Sequence, residues 1–366
     1  MNFRNTFIQV DLNKIAHNVR ELKREIGDTR MLAVVKANAY GHGLLRVART
    51  AIKNGACMLG VAIPEEGIEL REGGVTAPVL VLGGVNRMGA WAAVKYRLTQ
   101  TVFTVEGVRR LNAACEEMNG TAEVHLKLDT GMGRIGVRTE SEIREILNAL
   151  SECPRVKLTG VFTHFSDADG ETEDYTRMQM ERFDRLCALL PEGILRHAAA
   201  SAAMLRFPEA RYDMVRAGIA MYGYSPVKTP LSLQPALSFN TEIVYIKEIS
   251  AGDQLSYGRT FTASGPMRVA TLAVGYGDGY HRAAGTDAYV LIGGKKCKVL
   301  GRVCMDQMLC DVTGTEACPG DRAVLLGTQN GESIDAQQLA DWAGTVCWEV
   351  LLSATARVPI EYIEEE

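Results

Sequence analysis

Lys36 closes an otherwise apolar run in AVVKANAYGHG. Desolvation at such a position lowers the pKa of an amine and makes it nucleophilic, although a strand-end lysine can equally snorkel to solvent. Other polar residues close similar runs: Lys127, Asp129 and Arg134 in HLKLDTGMGRIGV, His164 in GVFTHFSDAD, Ser201 in HAAASAA, and Arg216 with Gly218 in DMVRAGIAMYG. Taken singly, these have ordinary uses as a charged turn or a hydrogen-bonded core histidine. Taken together, a serine and a glycine backbone after the last two runs, with a helix start behind them, suit a phosphate. A lysine near such a pocket suits pyridoxal 5′-phosphate (PLP), held as a Schiff base with its phosphate on backbone amides. No G-x-S-x-G elbow or P-loop competes, and the glycines of DTGMGRIG follow a fifth run rather than opening a dinucleotide-binding unit.

The elements that must position these residues follow from the apolar pattern. Eight short, β-branched runs recur before residue 230: MLAVVKA (31–37), CMLGVA (57–62), APVLVLGG (77–84), TQTVFT (99–104), EVHLKLD (123–129), LTGVFTH (158–164), ILRHAAA (194–200) and DMVRAGI (213–219). Helical patterns fill the intervals. Leu12, Ile15, Val19, Leu22 and Ile26 share one helix face behind an Asp11 N-cap. Eight strands alternating with helices predict an α/β fold, a (β/α)8 TIM-type barrel over residues 1–230, whose chemistry belongs at the C-terminal ends of its strands. A doubly wound open sheet is the alternative. After residue 230 the helix period fades into SFNTEIVYIKEI, MRVATLAVGYGDGY, YVLIGGKKCKVLGRV, MLCDVT, DRAVLLG and ATARVPIEYI, which predicts a β-rich C-terminal domain over 231–366 with one helix near Ser333 to Trp342.

Composition narrows the function classes. The chain has 366 residues, 47 % apolar and 23 % charged, enough for two domains with cores of their own, and a net charge of −4 gives no basic field for nucleic acid. No signal peptide or membrane-spanning run is legible, so a cytoplasmic enzyme is expected. The nine cysteines show no C-x-x-C pair and no zinc-ligand spacing, consistent with reduced thiols and no metal.

Seven segments, AVVKANAYGHG, LKLDTGMGRIGVR, GVFTHFSDAD, DMVRAGIAMYG, LSYGRTF, VGYGDGY and GRVCMDQ, resemble the signature segments of bacterial alanine racemases and occur in the family's order across nearly the whole chain. The resemblance implies a barrel followed by a β domain, PLP, and a head-to-tail homodimer whose sites combine one subunit's barrel with the other's β domain. It implies that Lys36 is the Schiff-base lysine and the base on one face. Tyr257, from the partner subunit, would be the base on the other face, with His164 and then Arg216 hydrogen-bonded behind it. A tyrosine has an ordinary pKa of about 10 and needs that support. Racemisation needs two such bases, because the proton leaves one face of the α-carbon and returns on the other.

Further roles follow from the same resemblance. Arg216 would face the pyridine nitrogen, and Arg134 the phenolic oxygen and the substrate carboxylate. Lys127 would be carbamylated, and so orient Arg134. Tyr40, Ser201, Gly218 and Ile219 would hold the phosphate. Met305 and Asp306 would border the substrate, and Tyr276, Arg282 and Arg302 would line the access corridor.

Two positions depart from the family pattern: Trp348, in TVCWEV, stands where a tyrosine usually contacts the phosphate, and Ala200 where an asparagine is usual. The expected activity is interconversion of L- and D-alanine, supplying D-alanine for peptidoglycan. Racemisation of serine or another small amino acid, and PLP-dependent decarboxylation, are the alternatives.

Overall fold

A computed structural model describes residues 4–364. The chain forms two compact units. One contains Lys14–Ala39 and Gly43–Gln234; the other contains the N-terminal segment through Asn13, residues Tyr40–His42, and the chain from Pro235 onward.

Strand β1 (Phe7–Asp11) lies in the second unit. The first unit is built on β2 (Arg30–Val34), β3 (Met58–Val61), β4 (Val79–Val81), β5 (Thr99–Val102), β6 (Ala122–Lys127), β7 (Val156–Phe162), β8 (Leu195–His197) and β9 (Met214–Ala217). These eight strands are parallel and ordered β8-β7-β6-β5-β4-β3-β2-β9, so β9 folds back against β2. At the remaining seam the Asp213 N–H donates to Arg196 O (3.1 Å) and the Arg216 N–H to Ala199 O (2.9 Å), which nearly closes a barrel. The strand cores are buried on both faces, Leu32, Ala33, Leu59, Leu80, Val124 and Val215 among them, as strands covered by helices must be. The helix Leu12–Ile26 buries the five residues of its predicted apolar face, and Asp11 accepts the Asn13 N–H (3.0 Å) at its start.

The second unit is mostly β. Its long strand β10 (Leu237–Ile249) pairs antiparallel with β1, with Met267–Leu272 and with Arg322–Gln329. Strand β1, which sequence alone assigns to the barrel, lies between β10 and the parallel strand Ile360–Ile363. Ile8 and Val10 are buried there and alternate with half-buried Phe7, Gln9 and Asp11, the pattern of a strand with one covered face. The expected helix spans Ala336–Ala343, with Asp335 accepting the Gln338 N–H, and a second short helix, Cys347–Leu352, follows it.

Candidate active site

Lys36 follows β2 after Val35 and opens a turn in which Ala37, Asn38, Ala39 and Tyr40 have φ of 52, 52, 52 and 53°. L-residues in this left-handed region carry strain of about 1–2 kcal/mol each, so surrounding bonds must hold them. The Ala39 N–H donates to Val35 O (2.8 Å), and Asn38 accepts the Gly43 N–H on its carbonyl (2.9 Å) and the Leu44 N–H on Oδ1 (2.8 Å). Gly41 ends the turn at φ 80°, where a Cβ would lie 2.3 Å from Leu351 O. The Lys36 amine is half-buried. Desolvation, and after it the charge of Arg134, holds its pKa below the usual lysine range, with Glu66 opposing. Burial pushes the Tyr40 phenol up to about 12, which keeps the hydroxyl protonated and able to donate.

Lys127 ends β6 and is 3 % exposed, with Nζ donating to Leu128 O (3.0 Å) and lying 5.2 Å from the Phe162 ring centroid. Desolvation first, then the charges of Arg216 and Arg134, pull its pKa down to about 7 against the attraction of Asp129. Asp129 folds the glycine turn after β6 by accepting the Gly131 and Gly133 N–H groups (3.1 and 2.9 Å). Arg134 projects from that turn and is exposed.

Arg216, on β9, is 3 % exposed and organises the far side of the barrel. The two Nη2 hydrogens go to Thr163 O (2.8 Å) and Ala198 O (2.8 Å), one of them shared with His164 Nδ1 (3.1 Å), and Nη1 donates to His197 O (3.0 Å) and His197 Nδ1 (3.2 Å). His197 Nε2 in turn lies 2.9 Å from His125 Nδ1. An arginine only donates, so each imidazole accepts on the nitrogen facing it and carries its proton on Nε2. Burial, followed by neighbouring positive charge, drives His164 well below its ordinary pKa, so it is neutral. His125 and His197 are not among the residues that the sequence singles out, although each puts a titratable ring into an apolar run. The Ser201 Oγ accepts the N–H groups of Gly218 (3.1 Å) and Ala220 (3.3 Å), joining the ends of β8 and β9, with Ile219 buried between.

In the second unit Tyr257 begins a short turn and is 70 % exposed. Ser256, before it, donates through Oγ to Arg302 O (2.6 Å). Met305 is exposed, and its carbonyl accepts the Gly277 N–H (2.8 Å) while the Tyr276 N–H donates to Cys304 O (3.0 Å), so the corridor candidate Tyr276 and the substrate-side candidate Met305 sit on one tied pair of loops. Arg357 fastens this pair, bridging Asp306 (2.7 Å) and the buried carboxylate of Asp278 (3.0 Å), which Arg4 also contacts. Arg282 is exposed at the start of the turn Arg282–Asp287. Trp348 is half-buried on the helix Cys347–Leu352. Asp278 lies inside the VGYGDGY segment but is given no role by the sequence reading, and Arg357 lies outside the seven segments.

A barrel whose strand ends carry a desolvated lysine and a serine-linked loop has the layout of an enzyme that holds a phosphorylated cofactor on a lysine. The family profiles for the alanine racemase N-terminal and C-terminal domains match residues 10–226 and 236–362. The alanine racemase of Symbiobacterium thermophilum is 44 % identical, covering 98 % of this chain and 97 % of its own. The crystal structure of alanine racemase from Bacillus anthracis with bound L-Ala-P is 37 % identical with a TM-score of 0.93, covering 99 % and 96 % of the two chains. A histidine racemase from Leuconostoc mesenteroides is 28 % identical with a TM-score of 0.92, covering 100 % and 99 %. The chain belongs to the alanine racemase family and is a PLP-dependent racemase.

The donor set fits that cofactor. Lys36, Lys127, Arg134 and Arg216 bear on one another electrostatically, against Asp129 and Glu66, so an anionic phosphate ester relieves their repulsion. The two Nη atoms of Arg216 are engaged, whereas its Nε–H donates to no protein group among the described residues.

Proposed function

We propose that the protein interconverts L- and D-alanine with Lys36 and the partner subunit's Tyr257 as bases on opposite faces of the α-carbon. The observation that carries this reading is the clamp of Arg216 on His164, which leaves the His164 Nε2–H as a donor able to stabilise a phenolate. PLP, when bound, withdraws electrons from the α-carbon and makes its proton removable. The Lys36 amine, lowered by burial, takes or returns that proton on one face. Arg216, always charged, gives the ring nitrogen no proton, which favours return of the α-proton over transamination. Arg134 receives the substrate carboxylate. The Lys127 amine, close to neutrality, attacks carbon dioxide and loses a proton to become a carbamate, an anion beside Arg134. Tyr40, Ser201, Gly218, Ile219 and Trp348 hold the phosphate, and Met305 and Asp306 border the substrate.

Tyr257, Tyr276 and Met305, exposed at 70, 41 and 52 %, fit a head-to-tail homodimer in which one subunit's β-rich unit completes the other's site. The product, D-alanine, then serves peptidoglycan synthesis in the cytoplasm. Trp348 in place of a tyrosine favours serine as the second substrate to test.

Proton NMR of the PLP-loaded protein in D2O, with L-alanine and separately L-serine, followed by chiral analysis, tests the reading. Exchange of the α-proton with inversion is expected, faster for alanine. Carbon dioxide release with the α-hydrogen retained would make the protein a decarboxylase instead.

A further inference from the structure

We propose that Glu66 is a positioning residue for Lys36: its carboxylate ties the Ala37 amide to the end of β3 and so fixes how the lysine leaves its left-handed turn. The proposal rests on the reading of Lys36 as the cofactor lysine and deepens it.

Glu66 lies in the first turn of the helix Pro64–Glu72, which follows β3 after two residues. Its Oε2 accepts the Ala62 N–H (2.7 Å) and, more weakly, the Ile63 N–H (3.4 Å). That is a capping task, needed because Ile63 at the N-cap has no polar side chain. The other oxygen does something capping does not require. Oε1 accepts the Ala37 N–H at 2.5 Å, reaching across to the loop after the neighbouring strand. Strands β2 and β3 are already paired, and the Val35 N–H donates to Gly60 O (2.8 Å). Glu66 carries that pairing beyond the strands, to the first of four residues held at positive φ.

Left-handed non-glycine residues persist only where surrounding bonds over-determine them. The Ala39, Gly43 and Leu44 amides fix the later part of the turn, and the Glu66 bond holds the amide of its first residue, next to Lys36. The same carboxylate also places a negative charge among the groups facing the Lys36 amine, which are otherwise cationic Arg134 and neutral His164. Glu66 thus fixes the direction in which the lysine leaves the turn and opposes the lowering of its pKa.

The test uses Glu66→Gln, which keeps the size of the side chain and one acceptor oxygen, alone and combined with Ile63→Asp. The second change gives the helix a polar N-cap. Two measurements are made on the cofactor-free protein: hydrogen exchange over residues 37–40, and the pH dependence of Lys36 acetylation by acetic anhydride, read by mass spectrometry. In Glu66→Gln exchange should rise about tenfold, the equivalent of one hydrogen bond, and the acetylation midpoint should move to lower pH. Adding Ile63→Asp should restore thermal stability and neither of the other two. Unchanged exchange and acetylation, or their full recovery with Ile63→Asp, would make Glu66 a helix cap only and overturn the proposal. Borohydride reduction of the PLP-loaded wild type tests the underlying reading separately: a reduced adduct on any residue other than Lys36 refutes that reading, whatever the exchange data give.

Discussion

Arg216 Nη2 lies 3.1 Å from His164 Nδ1, and that contact decides which nitrogen of the histidine carries its proton. A guanidinium has no lone pair to offer, so the outer nitrogen must be the donor. The same arginine fixes His197 identically through Nη1, and His197 passes the polarity on to His125.

Arg216→Lys tests this clamp. A single ammonium cannot span both histidines and three carbonyls, so the His164 tautomer is no longer enforced. We expect kcat to fall by about 10²-fold or more, the usual worth of a positioned proton-transfer group, with smaller change in KM and with PLP still bound by its absorbance. An unchanged kcat would remove the clamp from the mechanism.

Lys127 gives a prediction for stability against pH. Its pKa is about 7 in the folded chain against 10.5 for an unperturbed lysine, so between these values the unfolded chain binds more protons and stability rises with pH. Below about 7 the penalty of the buried charge is fully present. Lys127→Met should therefore raise the melting temperature relative to wild type more at pH 6 than at pH 9.5, in bicarbonate-free buffer. With 13C-bicarbonate, wild type should show a carbamate carbon resonance that the variant lacks.

Tyr257→Phe removes the acceptor proposed for one face while leaving a ring of the same shape. The L-to-D rate should collapse while PLP stays attached, whereas Lys36→Ala should abolish attachment itself. An L-to-D rate that survives in Tyr257→Phe would end the two-base scheme.

Trp348→Tyr replaces a half-buried indole with the residue usual in the family. The ratio of kcat/KM for alanine over serine should rise by roughly tenfold if this side chain narrows the site. Equal ratios would make the indole neutral for specificity.

The barrel was legible because its strands are buried on both faces and so appear as short unbroken runs such as MLAV and VLV. Lys36, Lys127, His164 and Arg216 were legible because each puts charge or a titratable ring where those runs end. His125 and His197 lie in the middle of the runs EVHLKLD and ILRHAAA, where a histidine resembles any satisfied core residue. The left-handed turn at Ala37–Tyr40 was hidden for a different reason: KANAY contains no glycine to signal positive φ, and the bonds that hold it come from Val35, Asn38 and Glu66 after folding. Strand β1 was obscured because FIQVD is short and runs straight into the Asp11 cap, and its partners are Leu237–Asn240 and Ile360–Ile363.

The placement of β1 sets the order of assembly against the order of synthesis. Strand β1 is completed on one side by β10 and on the other by residues 360–363, made some 350 residues later. A barrel can close around its own consecutive strands while the chain is still emerging, but the β-rich sheet must wait for residues 360–363. Until they arrive, Ile8 and Val10 present an apolar face with an unpaired edge, a site for a chaperone or for misassociation with a neighbouring nascent chain.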